Sequence, residues 1–439
     1  MKHKLIFSVA FFTALLLFAA QTLPAQNTKI ITLKEAIDLG ITNSFLLKKN
    51  TAQIQEAVAA KQEAQERKLP DFSISGSYLY IPVKPTVHIK PDTGKGGGPN
   101  VSQAMYGIAN ISLPIYTGGK IKYGIEAAGY LEQAIRLDGE DNKQTVIFNT
   151  IDAFSELYKA NAIVSIVKEN LEQSHQRVKD LSSLEKNGLL ARNDLLKAEL
   201  QSSNIELSLL DAENNYKVAS VNMALMIGLP EQTLLMADTN SIQQSLQIKT
   251  LDDYETMAMV ERKDLNAIEL RKKVAALAIK IVNANYYPGI ALTAGYVAAN
   301  IPGFLSITNA INLGVGVKYE VSSLWKTKAK IAQTQARVAQ ITASQQMLSN
   351  NIRLQINRAY QYYLLSNKKI QVYQKAVEQA MENYRITKNK YNNTLATTTD
   401  LLDADVAQLQ TKLNLTNAIA DALVAYNKLL LTAGNLTNN

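Results

Sequence analysis

Two aspartates near the C-terminal end of the chain have a spacing that could attract cations. Asp400 and Asp403 stand three residues apart in the segment "NNTLATTTDLLDAD", residues 392–405. Side chains at this separation share one face of a helix, and neighbouring carboxylates raise each other's pKa and favour a bound cation. Asp400 also fits a capping box with Thr397. The pair therefore predicts a cation-attracting surface, with an ordinary solvated helix face as the alternative.

The same stretch of sequence occurs earlier in the chain with one informative difference. The segment "KNGLLARNDLLKAE", residues 186–199, matches it at an offset of 206 residues, so that Asp194 corresponds to Asp400 and Lys197 to Asp403. Both Asp194 and Asp400 follow a turn and open a helix, where a carboxylate interacts favourably with free N–H groups. Helix capping can therefore explain these two acids. Lys197, however, indicates that the turn itself does not require an acid at Asp403.

The residue types that carry catalysis or bind metals are scarce. The chain contains no cysteine and only three histidines, His3, His88 and His175, which are far apart in sequence. No zinc, nucleophile or phosphate-loop spacing appears, so we expect neither an enzyme nor a bound metal or cofactor. The formal net charge of +8 is spread along the chain without a basic stripe that contains aromatic residues. This distribution argues against a nucleic-acid partner.

The N-terminal residues have the pattern of an export signal. Two lysines precede an apolar run from Leu5 to Ala20, and small residues follow up to Ala25, as in a secretory signal peptide. We therefore assign residues 1–25 to a signal peptide. No later apolar run approaches the roughly 18 residues that a membrane-spanning helix needs. If the protein crosses a membrane, it must do so with strands.

The chain after the signal peptide is a tandem repeat. Residues matched at the offset of 206 continue beyond the two turns, for example Glu172 with Glu378 and Gly228 with Gly434. Upstream the offset is 218, which indicates a loop insertion of twelve residues in the first copy. Each copy has the order helix, strand, strand, long helix, turn and shorter helix. We place the first repeat, a polar linker and the second repeat at residues 26–228, 229–250 and 251–439.

Four segments alternate between apolar and polar residues with the period of a β-strand. In "INLGVGVKYEV", for example, Leu313 and Val315 share one face, while Asn312 and Lys318 share the other. One apolar and one polar face fits a transmembrane β-barrel with lipid outside and water inside, and a half-buried sheet is the alternative. Pro and Gly between the strands of each pair predict long loops, including residues 299–310. The predicted strands are residues 71–80, 106–116, 289–298 and 311–322.

The predicted helix lengths match each other. The long helices, at about residues 120–187 and 326–393, each contain 68 residues, a length of ~100 Å. The two shorter helices of the first repeat contain 36 and 34 residues, so that together they are about as long. We therefore expect each long helix to run antiparallel beside two stacked half-length helices, with apolar stripes buried as in a coiled coil. The predicted shorter helices are residues 33–68, 193–226, 251–285 and 399–431.

Four strands cannot close a barrel. An open sheet in a membrane leaves unsatisfied backbone groups at its two edges, and each such group costs several kcal/mol. Bacterial barrels contain at least about eight strands. The smallest solutions are therefore two copies with eight strands or three copies with twelve. The sequence thus predicts a membrane protein of the α+β class that needs further copies of itself.

With its signal peptide, duplicated units and paired turns, the sequence resembles the TolC-like outer membrane efflux proteins. The similarity covers nearly the whole mature chain. It rests on the order of segments such as "ITLKEAIDLGITNSFLL", "KLPDFSISGSY", "LPIYTGGK", "NGLLARNDLLKAE", "MALMIGLP" and "TTTDLLDAD". The resemblance implies a homotrimer in the outer membrane of a Gram-negative bacterium, in which four strands per copy form a twelve-stranded β-barrel. A long coiled-coil α-barrel would continue it into the periplasm.

The resemblance also implies a function and partners. Such a channel would be the passive export conduit of a tripartite efflux or type I secretion system, working with a periplasmic adaptor and an inner-membrane pump. The polar segment 229–250 would belong to a belt around the helical barrel, although from its residues alone it is a linker. Two interpretations stay open for Lys120 and Lys326, where strands become helices: contact with the phosphates of outer membrane lipid, or an ordinary solvated surface. The competing interpretation is a periplasmic structural or adaptor-like coiled-coil protein without a membrane pore.

Finally, the resemblance implies roles for residues at the two turns. Asp400 and Asp403 match aspartates that ring the periplasmic entrance, so that three copies would constrict the channel with six carboxylates. Asp194 and Tyr391 match positions that link neighbouring coils and keep the entrance closed, and we expect a hydrogen bond between them. The gate arginine of the family falls at Ala396. One member of the family's closing contacts is therefore replaced in this chain.

Overall fold

The computed structural model of the protein describes residues 28–83, 101–238 and 248–436. The predicted signal peptide and most of the predicted loop of the first hairpin lie outside these residues. Within the described residues, none of the helices combines the length and the apolar character that a transmembrane helix requires. The helices and strands, in chain order, are β1 (Thr28–Ile31), α1 (Leu33–Asn43), α2 (Phe45–Glu66), β2 (Asp71–Tyr80), β3 (Gln103–Tyr116), α3 (Lys120–Lys186), α4 (Arg192–Ile227), β4 (Leu234–Ala237), α5 (Leu251–Glu261), α6 (Lys263–Asn283), β5 (Gly289–Ile301), β6 (Leu305–Lys318), α7 (Ser323–Asn392) and α8 (Thr398–Thr432).

The described residues form two compact units. Helices α3 and α7 contribute residues to both units, whereas the four-stranded sheet lies in the second unit and α4, α8 and the two turns lie in the first. Because this division cuts across both sequence repeats, the repeat boundaries stay a prediction. The first unit contains the described parts of Met1–Lys49, Glu140–Arg262 and Asn350–Asn439, and the second those of Asn50–Gly139 and Lys263–Ser349.

The second unit contains an antiparallel sheet with the strand order β2-β3-β5-β6. Its register places most of the apolar residues of the four strands on one face, since successive side chains along a strand point to opposite faces. Ile108 and Val297, which pair with each other, lie on the other face. Strands β2 and β6 have no neighbour on their outer edges within the described chain. One row across the sheet is Phe72, Ile111, Ala294 and Leu313 on this apolar face. The next row, on the opposite face, is Ser73, Asn110, Gly295 and Asn312.

The second hairpin differs from the prediction. The expected long loop at residues 299–310 is wrong, because β5 continues to Ile301 and β6 already begins at Leu305. Pro302 and Gly303 belong to a tight turn, in which Gly303 has a φ of 75°. These residues suggested a loop, but the alternating residues after them pair back onto β5, with Ser306 opposite Asn300. The strand also ends earlier than the predicted 311–322, and α7 begins at Ser323.

Two of the predicted half-length helices are interrupted. Residues 33–68 form α1 and α2, which are separated at Ser44, where ψ is 118° and the hydroxyl accepts a hydrogen bond from the Leu47 N–H at 3.3 Å. Ser44 thus ends one helix and caps the next. Residues 251–285 are interrupted in the same way at Arg262, which has extended backbone with ψ of 122°. The apolar periodicity continues across both breaks, so it did not predict them.

The predicted polar linker contains a strand. Leu234–Ala237 forms β4, which pairs in parallel with β1 near the start of the described chain. Leu235 is fully buried, its N–H donates to the Ser220 hydroxyl at 2.8 Å and its carbonyl accepts from the Tyr216 hydroxyl at 2.8 Å. This part of 229–250 is therefore a paired strand, and the assignment of the whole segment to a linker or to a belt around the helical barrel stays a prediction. Its surroundings form the main apolar core of the first unit, built from Ile31, Phe154, Leu157, Met223, Ile227 and Leu235.

Helices α3, α4 and α8 bury their apolar stripes against one another in the first unit. Val167 and Leu171 of α3 and Ile205 of α4 form one buried cluster, against which Leu409 and Leu413 of α8 pack. The spacing of three and four residues within each helix is that of coiled-coil packing. A second cluster nearer the turns contains Leu181, Leu195, Ala198 and Leu402. These clusters hold the two matched turns in place.

Candidate functional site: two matched turns and a buried ion pair

The two matched turns have the same backbone geometry. Gly188 follows α3 with a φ of 72°, and its counterpart Thr394 follows α7 with a φ of 63°. In each turn the next residue donates its N–H back to the last helical turn, from Leu189 to the Leu184 carbonyl at 2.9 Å and from Leu395 to the Lys390 carbonyl at 2.8 Å. This is the hydrogen-bond pattern of a Schellman motif. The repetition in the sequence is therefore also a repetition of conformation.

The second turn opens α8 with a complete capping box. The Thr397 hydroxyl accepts from the Asp400 N–H at 3.2 Å, and the Asp400 carboxylate accepts from the Thr397 N–H at 2.8 Å and from its hydroxyl at 2.7 Å. The predicted capping box is confirmed. Because the backbone N–H and then the hydroxyl of Thr397 stabilise the charged form, the pKa of Asp400 lies below its usual value. Asp400 is thus anionic and anchored at the start of α8.

The first turn lacks this cap and uses its residues differently. Ala191 stands at the position of Thr397 and offers no side chain to cap α4. Asp194 therefore has no capping partner there, and its Oδ1 accepts from the Lys197 ammonium at 3.3 Å. The same ammonium lies 3.2 Å from the Thr399 hydroxyl of the other turn. Lys197 therefore connects the two turns, which explains why a lysine occupies the position that Asp403 has in the second copy.

Asp403 lies one helical turn beyond Asp400 and is exposed. Asp400 has its partner in Thr397, whereas no cation in the described part of the chain pairs with Asp403. Both carboxylates stand on the first two turns of α8, next to the loop of residues 393–397. The role of Asp400 and Asp403 as a constriction depends on further copies of the chain and stays a prediction.

Tyr391 and Ala396, two of the residues matched to the family's closing contacts, flank the second turn. Tyr391 is half-buried and packs against the cluster that contains Leu181, Leu195 and Leu402. Ala396 is also half-buried. Since the described chain pairs Asp194 with Lys197, the hydrogen bond between Asp194 and Tyr391 stays a prediction.

An ion pair that the sequence did not predict is buried between α3 and α8. The guanidinium of Arg177 binds the carboxylate of Asp405 in a bidentate manner, with Nη1–Oδ2 and Nη2–Oδ1 distances of 3.0 Å. The side chains are 9% and 1% exposed. Such a pair is difficult to break, because the removal of either partner leaves an uncompensated buried charge.

Two further polar side chains surround this ion pair. Nη2 of Arg177 donates to the Tyr384 hydroxyl of α7 at 3.3 Å, and Nδ2 of Asn170 donates to Asp405 at 3.4 Å. Burial disfavours the charged guanidinium, but the hydrogen bonds and the charge attraction of Asp405 and Tyr384 together outweigh this effect and raise the pKa of Arg177. The cluster thus links α3, α7 and α8 through a permanently charged centre.

A signal for this cluster was present in the sequence. Asn170 lies on the same face of α3 as the apolar residues Val167 and Leu171, and Arg177 follows it seven residues later. A polar residue at a core position of a coiled coil needs a partner across the interface. The partner, Asp405, is 228 residues away in sequence. Helical periodicity could therefore identify one side of the pair but not the other.

Both turns expose a large apolar side chain. Leu189 and its counterpart Leu395 are 73% and 76% exposed. An exposed leucine on its own is ordinary, but here the two stand at matched positions of two adjacent turns that share the Lys197 contact. Each turn therefore presents one exposed leucine at the end of its helices.

Comparisons with known proteins identify this architecture. The chain matches the outer membrane efflux protein family over residues 36–229 and 256–435, which cover most of both predicted repeats and both turns. The chain belongs to this outer membrane efflux protein family. It is accordingly a TolC-like channel protein of the outer membrane that extends into the periplasm, as the sequence predicted.

Three individual proteins are similar to this chain in sequence or in fold. The outer membrane efflux protein BepC of Brucella suis biovar 1 is 21% identical over 366 residues, or 81% of this chain and 78% of BepC. The outer membrane protein VceC of Vibrio cholerae has a similar fold, with a TM-score of 0.76 and 19% identity over 92% of this chain and 96% of VceC. The Campylobacter jejuni outer membrane channel CmeC gives a TM-score of 0.77 at 17% identity, over 92% and 86% of the two chains.

Proposed function

We propose that three copies of this chain form a passive export channel through the outer membrane. In this proposal a periplasmic adaptor and an inner-membrane pump deliver cargo to it, as in a tripartite efflux or type I secretion system. The observation that carries the proposal is the four-stranded sheet of the second unit, which has one apolar face and two open edges. Leu313 and Val317 on that face are 82% and 67% exposed, which suits contact with lipid.

The open edges favour a closed ring of copies. In hydrocarbon each unpaired backbone group of β2 and β6 would cost several kcal/mol. When β6 of one copy pairs with β2 of the next, both edges are satisfied, and three copies give the even number of twelve strands. The polar row that contains Ser73, Asn110 and Asn312 would then line the water-filled interior.

We propose that the two matched turns form the periplasmic entrance. Leu189 and Leu395 would supply an apolar contact for the adaptor, since exposed apolar side chains at adjacent positions suit a protein interface. Asp400 and Asp403 of three copies would form the carboxylate ring at the constriction. Asp194 and Tyr391 would contribute to the closed state.

The channel proposal can be tested on mature protein extracted from outer membranes with detergent. We expect a trimer by light scattering, heat-dependent migration on denaturing gels and single-channel conductance in planar bilayers. A monomer that is soluble in water without detergent and does not conduct would exclude the proposal. That result would instead favour a periplasmic coiled-coil protein.

The adaptor contact needs a separate experiment. A photo-crosslinking amino acid at Leu189 or Leu395 should capture the periplasmic adaptor in cells, whereas the same group at Val260, which is 65% exposed elsewhere in the first unit, should not. Capture at Val260 with equal yield, or at none of the three sites, would count against docking at the turns.

A further inference from the structure

We propose that the junction between β6 and α7 binds phospholipid of the periplasmic leaflet of the outer membrane. In this proposal the side chain of Trp325 lies at the boundary of the hydrocarbon, and Lys326, Lys328 and Lys330 bind the phosphate groups of the lipid. The inference rests on the proposed position of the sheet in the membrane and adds to it the surface at which the membrane ends. All of these residues belong to the second unit.

The two repeats differ where a strand leads into a long helix. The first junction, residues 113–124, matches the second junction, residues 319–330, at the offset of 206 residues. The second junction keeps two lysines of the first, has large apolar residues in place of two glycines and gains a third lysine. The matched pairs are Gly118 with Leu324, Gly119 with Trp325, Lys120 with Lys326, Lys122 with Lys328 and Gly124 with Lys330.

The backbone of the first junction requires its glycines, whereas that of the second does not. Gly118 and Gly119 have φ values of 64° and 86°, and a Cβ added at Gly118 would lie 2.7 Å from the Ala284 carbonyl oxygen. Helix α7 begins three residues earlier than α3 when the repeats are matched, so that Leu324 and Trp325 are helical. The second junction therefore has room for side chains and presents two large apolar ones.

The described chain leaves these apolar side chains largely uncovered. Leu324 and Trp325 are 54% and 64% exposed, and Val321, just before them, is 57% exposed. The buried side of the helix is formed instead by Ser323 and Thr327. Exposed apolar side chains that lie next to one another mark a surface for contact with a partner. This junction thus needs an apolar partner from outside the chain.

The position of the second junction favours lipid as that partner. A tilted strand crosses the hydrocarbon in about 9–11 residues, and β6 contains 14 residues. The end of β6 therefore reaches the membrane surface. Exposed apolar and aromatic residues continue from Val317 of the sheet through Tyr319 and Val321 to Trp325. Tryptophan is enriched at the interface between hydrocarbon and headgroups, where its ring is partly in contact with each.

The charges of the second junction follow directly after its apolar residues. Lys326, Lys328 and Lys330 are exposed, and none of them forms an ion pair within the described residues. With Glu320 as its one acidic residue, the junction has a net charge of +2. The next 19 residues, 331–349, contain only one charged residue, Arg337. The cations are thus concentrated at the level of the headgroups, where anionic lipid attracts lysine.

Lys328 is the lysine most directly coupled to the apolar residues. It follows Leu324 by four residues and Trp325 by three, so that the three side chains are neighbours on one side of α7. The flexible stem of a lysine can hold its ammonium group among the headgroups while the apolar side chains beside it lie deeper. Lys326 and Lys330, four residues apart, extend the cationic surface around the helix.

The fluorescence of Trp325 tests its contact with lipid, because the chain contains no other tryptophan. In vesicles of phosphatidylethanolamine and phosphatidylglycerol, bromine on the acyl chain near the headgroup should quench most of the emission. Bromine near the far end of the acyl chain, and iodide in the water, should quench much less. The control W325F/V260W moves the tryptophan to a position of similar exposure in the first unit. There iodide should quench the emission and bromine should not.

The response of the trimer to lipid tests the lysines. Phosphatidylglycerol added to the trimer in detergent should raise the temperature at which the trimer dissociates, and K326Q/K328Q/K330Q should lose most of this rise. The matched control K368Q/K369Q/K375Q removes three exposed charges from the part of α7 in the first unit and should keep the rise. Inorganic phosphate alone should give no rise, since it has no acyl chains to hold it beside Trp325.

The outcomes distinguish this inference from the proposed function. Emission that bromine at neither depth changes would overturn the lipid contact: strong quenching by iodide would then indicate a solvated surface, and protection from both quenchers a covering protein. An equal rise in both triple variants, a loss of the rise in both, or a rise with inorganic phosphate alone would overturn the role of the lysines. In each case a trimer that conducts leaves the channel intact. A protein that neither trimerises nor conducts overturns the channel and this inference together.

Discussion

Thr394 adopts a backbone conformation that suits glycine. Its φ of 63° and the φ of 72° at Gly188 serve the same motif in the two turns, but an L-residue in this region costs about 1–2 kcal/mol relative to glycine. The added Cβ at Gly188 would meet no atom within 4 Å. The turns therefore differ in backbone strain and in one local hydrogen bond, which the Thr394 hydroxyl donates to the Asn393 carbonyl at 2.6 Å.

An exchange of the two residues isolates this backbone effect. Thr394→Gly should stabilise the protein by less than about 1 kcal/mol, since part of the relief is offset by the greater freedom of glycine in the unfolded chain. Gly188→Thr should destabilise it by about 1–2 kcal/mol. Thermal midpoints of the detergent-solubilised protein measure both. Shifts of equal sign in the two variants would contradict the matched geometry.

Asp400 should make the stability depend on pH. Its pKa is lowered in the folded state by the N–H and hydroxyl of Thr397, so its contribution is present above the ordinary carboxyl pKa of 3.8 and is lost as pH falls through the lower folded value. Asp400→Asn should therefore lower the thermal midpoint at pH 7. The difference in thermal midpoint between this variant and the natural protein should disappear below about pH 4.

Variants at two other positions serve as a parallel case and a control for Asp400→Asn. Asp253 has the same capping box with Thr250 and a lowered pKa, since it accepts from the Thr250 hydroxyl and N–H, so Asp253→Asn should behave like Asp400→Asn. Glu172→Gln, in the middle of α3, is the control for the loss of one carboxylate. A gap for Asp400→Asn that is unchanged between pH 7 and pH 3 would argue against the cap as its origin.

The helices and strands show which parts of this fold depend on local sequence. The alternation in β6 and the coiled-coil stripe of α3 are periodic and local, so they could be predicted from residues such as Leu313 and Val167. The breaks at Ser44 and Arg262 and the pairing of β1 with β4 could not, because they depend on contacts between segments distant in sequence. The long loop predicted from Pro302 and Gly303 was wrong for another reason. These residues mark the position of a turn, but they do not give the length of the loop.

The candidate site also contains some features that local sequence predicts and others that depend on tertiary packing. The capping box at Thr397 is formed by residues three apart, and local spacing was sufficient to predict it. Lys197 could be recognised as the exception between the two copies, but its contact with Thr399 joins separate helices. Arg177 and Asp405 depend entirely on how α3 packs against α8, so that pattern alone could indicate only a polar residue in an apolar stripe.

Loss of one partner of the Arg177–Asp405 pair should destabilise the protein strongly, whereas replacement of both partners by apolar residues should change its stability little. Arg177→Met alone leaves a buried carboxylate with only Asn170 as a donor, and we expect a loss of about 3–5 kcal/mol. The double variant R177M/D405L removes both charges and should recover most of this loss, because well-packed apolar residues of similar volume often substitute for a buried ion pair. Thermal midpoints of the natural protein, both single variants and the double variant complete the cycle.

The partly exposed pair Lys61–Glu132 in the second unit, in which Glu132 also binds Arg136 at 2.8 Å, offers a comparison for this cycle. Glu132 accepts from Lys61 at 2.7 Å, but the side chain of Lys61 is 38% exposed. A partly exposed pair is screened by solvent, so Lys61→Met should cost much less than Arg177→Met. If Lys61→Met and Arg177→Met lose equal stability, burial is not the reason for the strength of the Arg177–Asp405 pair.

At the scale of the whole assembly, the two copies of the turn acquire different electrostatic roles. In the first turn Asp194 and Lys197 neutralise each other. In the second turn Asp400 has only the neutral Thr397 as a partner, and no basic side chain of the described residues pairs with Asp403. In the proposed trimer the first turn would contribute no net charge from these residues, while the second would contribute six carboxylates. A field from such a ring attracts cations, and multivalent ones most strongly.

Block of the channel by a trivalent cation tests this ring. In planar bilayers the natural protein should be blocked at low concentrations of the cation, and Asp403→Asn should weaken the block by at least about tenfold, which corresponds to about 1.4 kcal/mol. Asp403 is the residue of choice because Asp400 also caps α8, so that its variants change the helix as well as the charge. Glu172→Gln removes one exposed carboxylate elsewhere and should leave the block unchanged. If both variants are blocked like the natural protein, the constriction lies elsewhere and Asp403 belongs to a solvated helix face.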